Sequence, residues 1–436
     1  MATTYLTKTL GTPTLATKAT CSMWFKSSEP TGQNTLIASD GNAAAFYLHS
    51  NSTLRIYNVD SSALTTNRVF RDPSAWYHLV VAIDTTQVTA SNRVKVYING
   101  IQETSFSSAS YPNQNSASAL GNATAHFVGA NTSPANYFNG YMNNVALVDG
   151  TALTPTSFGE TDSASGIWKF KTPSGITWGN NGFHLKMDNS ANLGLDSSGE
   201  TNNFTLSGNG RQAKDTPTNN YATMNPLVNT PNGTYSDGNT QFNGGAAHRT
   251  AYGTLAFATG KYYWEAKATG GTKYTIGLSD AENQSAYQQV AGTNLIVGSN
   301  SNSYLKGDAI GWYYSTLYKN GSTIASGLTI IGTNDILRVA VDADAGKIYY
   351  AIGATWRVAN STTFNASSND TTFTTGRFYV PACSNENCGW KFNFGNGYFG
   401  TTAITSAGSN GNGSLFEYDV PSGYYALNTK NINTYG

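Results

Sequence analysis

Glutamate is scarce in this chain, occurring at only eight positions: Glu29, Glu103, Glu160, Glu200, Glu265, Glu282, Glu386 and Glu417. None pairs with another along a helical face, so a good helix former contributes little and almost no helix is expected. Charge of either sign is thin at 11%, and Lys plus Arg balances Asp plus Glu at 25 each. A chain without a basic field cannot hold a phosphate backbone, which argues against nucleic acid as a partner. Nowhere do about 18 apolar residues run together, so no helical membrane insertion is expected. The opening MATTYLTKTLGTPTLATKATCSMWF has no apolar run behind a basic flank, and a soluble chain without a Sec-type export signal is the expectation. Cysteine, at three residues, is too rare and odd in number for a disulfide framework, so packing must supply the stability.

What is present favours strands and turns. Glycine reaches 45 residues and aromatics 12%, with Ser, Thr and Asn filling much of the remainder. At 436 residues the chain exceeds one ordinary core, since domains hold roughly 100 to 200 residues, and two domains are the starting expectation.

One phrase is written twice. AWYHLVVAIDTTQVTASNRVKVYINGIQ (75–102) and DILRVAVDADAGKIYYAIGATWR (335–357) each read as a hairpin with one apolar face. In the first, Leu79 to Ile83 is an apolar run, and Val94, Val96 and Ile98 alternate with polar neighbours before the turn pair Asn99-Gly100. In the second, Leu337, Val339 and Val341 alternate, then Asp342 to Gly346 turns the chain into Ile348, Tyr350 and Ile352. Asn320-Gly321 is the strongest short hairpin signal elsewhere. Many short strands with turn chemistry between them and no helical period predict an all-β chain of two tandem β-sandwiches, each with this hairpin at its centre. Weaker strand signals at GIWKF, GFHLKM and NNFTLSG predict closing strands of the first sandwich, followed by a Ser/Asn/Gly-rich extended connector. The expected boundaries are 1–212, a connector at 213–250, and 251–436.

The residues carry three resemblances. CSMWFKSSEPTGQNTLIASDGNAAAFYLHSNSTLRIYNV, then AWYHLVVAIDTTQVTASNRVKVYINGIQ, then YFNGYMNNVALVDGTALTPTSF, over about 19–159, resemble the laminin-G-like, concanavalin-A-like jelly roll. GKYYWEAKAT, TIGLSD, GDAIGWYYSTLYKNGS, ILRVAVDADAGKIYYAIGATW, FYVPACS, WKFNFG and PSGYYAL, in that order, resemble a SPRY domain. Both families are concanavalin-like sandwiches, and the resemblance therefore implies two variants of one architecture, which accounts for the repeated phrase. DTPTNNYATMNPL (215–227) is similar to segments of bacteriophage virion proteins that join these two kinds of module, and implies a virion part assembled in the host cytoplasm.

A fold of this kind by itself selects neither lectin nor glucanase. Concanavalin-like glucanases carry Glu-x-Asp-x-x-Glu on one strand, supplying the close carboxylate pair of a retaining mechanism. Here Glu160-Thr161-Asp162 is followed by Ser165 and Glu417-Tyr418-Asp419 by Ser422; both lack the third acid and read as solvated loop acids. His49, His78, His126, His184 and His248 show no metal or nucleophile spacing, and His78 reads as an ordinary strand residue. Asp342 and Asp344 before a Gly read as turn chemistry rather than a calcium cage. Cys383 and Cys388, in ACSNENCGW, read as two thiols in or near a hairpin, with no further metal ligands beside them and with spacing that does not establish a disulfide. No catalytic residue, metal or cofactor is assigned.

What remains is recognition through loops, where aromatic rings pack on the C–H patches of sugars and amides reach their hydroxyls. Tyr111, Tyr137, Trp178 and Tyr304 lie in such segments and are the candidate ligand-binding residues. The leading expectation is a phage virion surface protein, a fibre, spike or appendage, with other virion proteins and a host-surface glycan as partners. By analogy with such appendages it would assemble as a homotrimer. A capsid decoration or head-fibre protein contacting coat proteins, a polysaccharide depolymerase with an unrecognised site, and an intracellular protein-interaction module stand as alternatives.

Overall fold

Short β-branched and aromatic runs broken by Gly, Asn and Ser favour strands. The computed structural model, which describes residues 3–29, 32–39, 44–57, 62–228, 233–271, 273–283, 296–299, 308–356 and 371–436, is built of them. It divides into two compact units: Met1–Gln212 with Thr216–Thr218, and Ala213–Asp215 with Asn219–Gly436. Among the described residues the α-helix is a single short element, α1 (Thr429–Tyr435), whose first turn is capped by Asn428 accepting from the Asn431 N–H.

The first unit begins with β1 (Tyr5–Thr9), β2 (Lys18–Ser27), β3 (Asn34–Ser39), β4 (Ala44–Leu48), β5 (Thr53–Tyr57) and β6 (Ala63–Val69). It continues through β7 (Tyr77–Asp84), β8 (Val94–Ile98), β9 (Ile101–Gln102), β10 (Phe106–Ala109), β11 (Ala125–Val128) and β12 (Gly140–Asp149). The last strands are β13 (Gly159–Thr161), β14 (Trp168–Phe170), β15 (Phe183–Leu185) and β16 (Thr205–Ser207). An eight-stranded sheet, β10-β6-β5-β4-β3-β11-β1-β16, faces a six-stranded one, β15-β12-β2-β7-β8-β9. Leu36, Phe46, Leu54 and Ile56 from the first meet Met23, Phe25, Val81, Ile83 and Val96 from the second in one buried cluster. Burying each such side chain contributes roughly 1.5–3 kcal/mol, which is what joins the two sheets.

The second unit runs through β17 (Thr234–Ser236), β18 (Gln241–Asn243), β19 (Arg249–Tyr252), β20 (Lys261–Thr269), β21 (Lys273–Asp280), β22 (Ala309–Tyr313) and β23 (Thr316–Lys319). Then come β24 (Ser322–Ala325), β25 (Ile336–Asp342), β26 (Lys347–Ile352), β27 (Thr355–Trp356), β28 (Thr371–Thr372), β29 (Tyr379–Glu386) and β30 (Gly389–Asn393). Its larger sheet orders as β17-β18-β30-β20-β25-β26-β27, and its smaller as β19-β29-β21-β22-β23-β24. Trp264, Trp312, Trp390, Tyr350 and Ile276 fill the space between them.

The repeated phrase forms hairpins as expected, β7 with β8 and β25 with β26. Two details differ. Both hairpins lie to one side of their sheets, next to β2 and β20 respectively, rather than at the centre. Both are also buried on two faces: Val80 packs with Ala146, Val148 and Phe158, and Ala340 with Tyr263, Tyr349, Ala351 and Phe416. The reason lies downstream in the chain, where the segments holding Phe158 and Trp178, and Phe416 and Tyr424, fold back over the outer faces. Asn99-Gly100 and Asn320-Gly321 both take positive φ at both residues, 49° and 80°, and 51° and 84°, as two-residue hairpin turns require.

GIWKF, GFHLKM and NNFTLSG become β14, β15 and β16, the last two closing the edges of the two sheets of the first unit. The stretch 213–250, expected as an extended connector, supplies β17, β18 and the start of β19, because Phe242 is fully buried and Tyr235 packs on it at 5.0 Å. Cys383 and Cys388 do not flank a hairpin. β29 and β30 belong to opposite sheets, and both thiols are free and buried in the core between them.

Candidate functional site

Alternation places one side chain in two of a strand on the face away from the core. In β4 and β5, Phe46, Leu48, Leu54 and Ile56 point inward, which leaves Ala45, Tyr47, Arg55 and Tyr57 on the outer face of the eight-stranded sheet. Antiparallel pairing sets Tyr47 beside Arg55 and Ala45 beside Tyr57. A register shift between Thr35 and Ile37 keeps both Leu36 and Ile37 buried while Thr35 lines the same outer surface. The loop at 131–136 closes the side: Asn131 accepts from the Ala135 N–H at 2.9 Å, and the Asn136 carbonyl accepts from the Thr35 N–H at 2.9 Å. With Gln33 these residues bound a groove of about 450 Å³.

The groove combines ring faces with amides and one cation. Tyr47 and Tyr57 are half-buried, and the Arg55 guanidinium lies 5.9 Å from the Tyr57 ring centre, a cation–π distance. His49 meets Tyr47 edge-on at 5.0 Å, and burial, followed by the nearby Arg55 charge, holds its imidazole below the ordinary range. Such a lining offers C–H stacking and hydroxyl recognition and holds no carboxylate for acid–base work.

The four candidate residues do not converge. Tyr137 lies nearest in the chain to the groove lining, next to Asn136; its ring packs on Tyr5 at 6.2 Å and its hydroxyl donates to the Pro134 carbonyl at 2.7 Å. Tyr111 packs against the first unit's core. Trp178 stacks on His184 at 5.6 Å and covers Val80 and Ala146. Tyr304 lies outside the described residues. Sequence reading missed Tyr47, Arg55 and Tyr57, although the off-core phase of AAFYL and TLRIY was the signal that could have found them.

The titratable groups elsewhere are engaged structurally. His78 is fully buried, stacked on Trp24 at 4.6 Å, with its ring bonded to Trp168 and Ser22 at 2.9 Å each. Trp168 Nε1 can only donate, so His78 Nδ1 accepts and the ring proton sits on Nε2, donated to Ser22. Burial drives its pKa down to about 3, and that of His184 to about 4. Asp162 is held by Ser165, Ala164 and Lys169, and Glu160 lies 3.5 Å from the same Lys169. Asp342 accepts from the Ala345 N–H within the turn and pairs with Lys261 at 2.7 Å, and Asp344 accepts from the Gly260 N–H of a segment distant in the chain. No group of three or more His, Cys, Asp or Glu side chains suited to a metal occurs among the described residues.

Glu265 on β20 is a carboxylate perturbed in the opposite direction from Asp162, upward rather than downward. It is fully buried, and burial pushes its pKa up to about 7 against the hydrogen bonds that oppose the rise. It accepts from the Tyr263 hydroxyl at 2.9 Å and from the N–H groups of Glu417 and Tyr418 at 2.8 and 2.9 Å. Arg338 bonds Tyr263 and the Asp419 carbonyl and lies over the Trp356 and Tyr418 rings. A carboxylate so enclosed pins the 416–420 segment to the sheet.

Residues 2–157 match the model of the concanavalin A-like lectin/glucanases superfamily, and residues 261–397 match that of the SPRY domain. The chain carries one domain of each kind. The groove thus lies on the concanavalin A-like domain, and the Glu265 network within the SPRY domain. No curated protein sequence matches the chain. Similar solved structures include the SPRY domain of human HERC1, 14% identical over 39% of this chain and 96% of that one, with a TM-score of 0.27. The TRIM65 PSpry domain is 14% identical over 39% and 91%, with a TM-score of 0.26. A candidate carbohydrate-binding protein from Bacteroides ovatus is 14% identical over 47% of this chain and 56% of that one, with a TM-score of 0.34.

Proposed function

We propose that this is a carbohydrate-binding protein rather than an enzyme, and that it serves as a surface appendage of a bacteriophage virion, where it engages a host-surface glycan. The observation that carries the binding reading is the groove: Tyr47 and Tyr57 offer ring faces, and Gln33, Asn131 and Asn136 offer amides, on a rigid sheet of the concanavalin A-like domain. Membership of that domain in a lectin and glucanase superfamily supports the same reading. The engagement of Glu160 and Asp162 by Lys169, and of Glu265 by backbone N–H groups, supports binding without turnover. The virion placement is supported by the resemblance of residues 215–227 to virion connectors, with other virion proteins as the remaining partners.

A glycan array probed with the full chain tests the binding reading. We expect a defined set of glycans to be retained, and Tyr57→Ala to weaken them roughly tenfold. An array blank for the folded wild type would overturn it. Immunogold electron microscopy of purified particles tests the placement, which absence of the chain from them would overturn.

A further inference from the structure

Resting on the carbohydrate-binding reading of the groove, we propose that its ligand is an acidic saccharide, and that Arg55 selects it by gripping a sugar carboxylate. Arg55 is the one charged side chain among the eight residues that bound the groove; the others are Gln33, Thr35, Ala45, Tyr47, Tyr57, Asn131 and Asn136. Its Nε is buried and, among the described residues, has no hydrogen-bond partner. A buried guanidinium nitrogen without an acceptor is costly, and the cost is relieved when a ligand supplies the acceptor.

Among the described residues the surroundings offer no substitute. Across the strand pair stands Tyr47, and on the same strand two residues on stands Tyr57, neither of them an anion. His49, which feels the Arg55 charge, is disfavoured as a cation by burial and by Arg55 itself, and it offers no negative charge to the guanidinium. Glu29, in the loop before β3, bonds Asn139 rather than Arg55.

The geometry also favours a carboxylate over a phosphate. A guanidinium presents planar paired donors that match a carboxylate edge, and a single cation balances a single negative charge. The Tyr57 ring, 5.9 Å below the guanidinium, keeps the fork oriented. A uronic or sialic acid residue would then place its carboxylate on Arg55 and an apolar ring patch on Tyr47 or Tyr57, with its hydroxyls toward Asn131 and Asn136.

The test is calorimetric titration of the full chain with matched saccharide pairs, uronate- and sialate-bearing, each as the free acid and as its neutral methyl ester, alongside neutral oligosaccharides. The expected result is that an acid binds and its ester binds roughly ten- to a hundredfold more weakly. Arg55→Gln should abolish that difference at an unchanged melting temperature, and Arg55→Lys, which keeps the charge without the fork, should fall between. Should Arg55→Gln fail to fold, the acid–ester comparison on the wild type and the Lys variant decides alone. Equal affinity for acid and ester, or a neutral sugar as the tightest ligand, would overturn the acidic selectivity while leaving the carbohydrate reading intact. Failure of every member of the panel to bind would overturn both.

Discussion

Glu265 and His78 show how burial rather than sequence spacing sets the chemistry of a residue. Glu265 has a folded pKa raised to about 7 from an ordinary 4.5, so the folded chain binds more protons than the unfolded one between those values. Its contribution to stability is therefore fully present below about pH 4.5 and is lost as pH rises through 7. Glu265→Gln removes this dependence: in chemical denaturation from pH 4.5 to 7, the wild type should lose ground to the variant on the order of a few kcal/mol. A pH-independent gap between the two would contradict it. His78 and His184 act in the opposite sense, because their folded pKa values, about 3 and about 4, lie below the ordinary 6.5. Their contribution is present above pH 6.5 and lost as pH falls toward 4 and then 3. The first unit should therefore soften on acidification from pH 6.5, and His78→Gln should flatten that slope in thermal melts across the same range. Neither effect was legible in the sequence, because His78 and Glu265 stand in ordinary strand contexts and are enclosed by chain from 90 and about 150 residues away.

The element that best separates what was legible from what was not is the β13–β14 cover. GIWKF announced a strand, and the repeated phrase announced β7–β8, since both are local patterns. That Trp168 of β14 would lie against His78 of β7 and the Gly100 turn was not legible, because it depends on contacts between distant segments. The glycines record it: a Cβ at Gly159 would stand 2.4 Å from the Trp168 ring, and one at Gly100 2.6 Å. Gly159→Ala should therefore expel Trp168, break its bond to His78, and destabilise the first unit by about 1–3 kcal/mol, read as a lowered melting temperature. An unchanged melting temperature would show that the cover is dispensable. The same distinction explains the binding residues. Tyr111, Tyr137 and Trp178 stood out because loops rich in Asn and Ser surround them, yet two of the three pack on buried clusters. Tyr47, Arg55 and Tyr57 sit inside strands, where only the phase of the alternation distinguishes a groove from a core.

At the level of the whole molecule, two sandwiches of related architecture differ in how their outer faces are used. In the concanavalin A-like domain one outer face is covered and the outer face of the eight-stranded sheet carries the groove; in the SPRY domain the outer face of the larger sheet is sealed by the Glu265 and Arg338 network. Removing the seal should disturb stability and leave glycan affinity alone: Arg338→Met should lower the melting temperature while binding to an array-selected glycan stays within about twofold, and a large loss of affinity would contradict this. Whether a saccharide binds in the groove on β3, β4 and β5 can be read by photo-crosslinking. A diazirine-bearing derivative of an array-selected glycan would be bound to the full chain, irradiated, and the labelled peptides mapped by mass spectrometry. Labels are expected within residues 44–57 and 131–137, competed by the unmodified glycan; competed labels confined to the SPRY domain or to the segment around Trp178 would rule the groove out as the binding site.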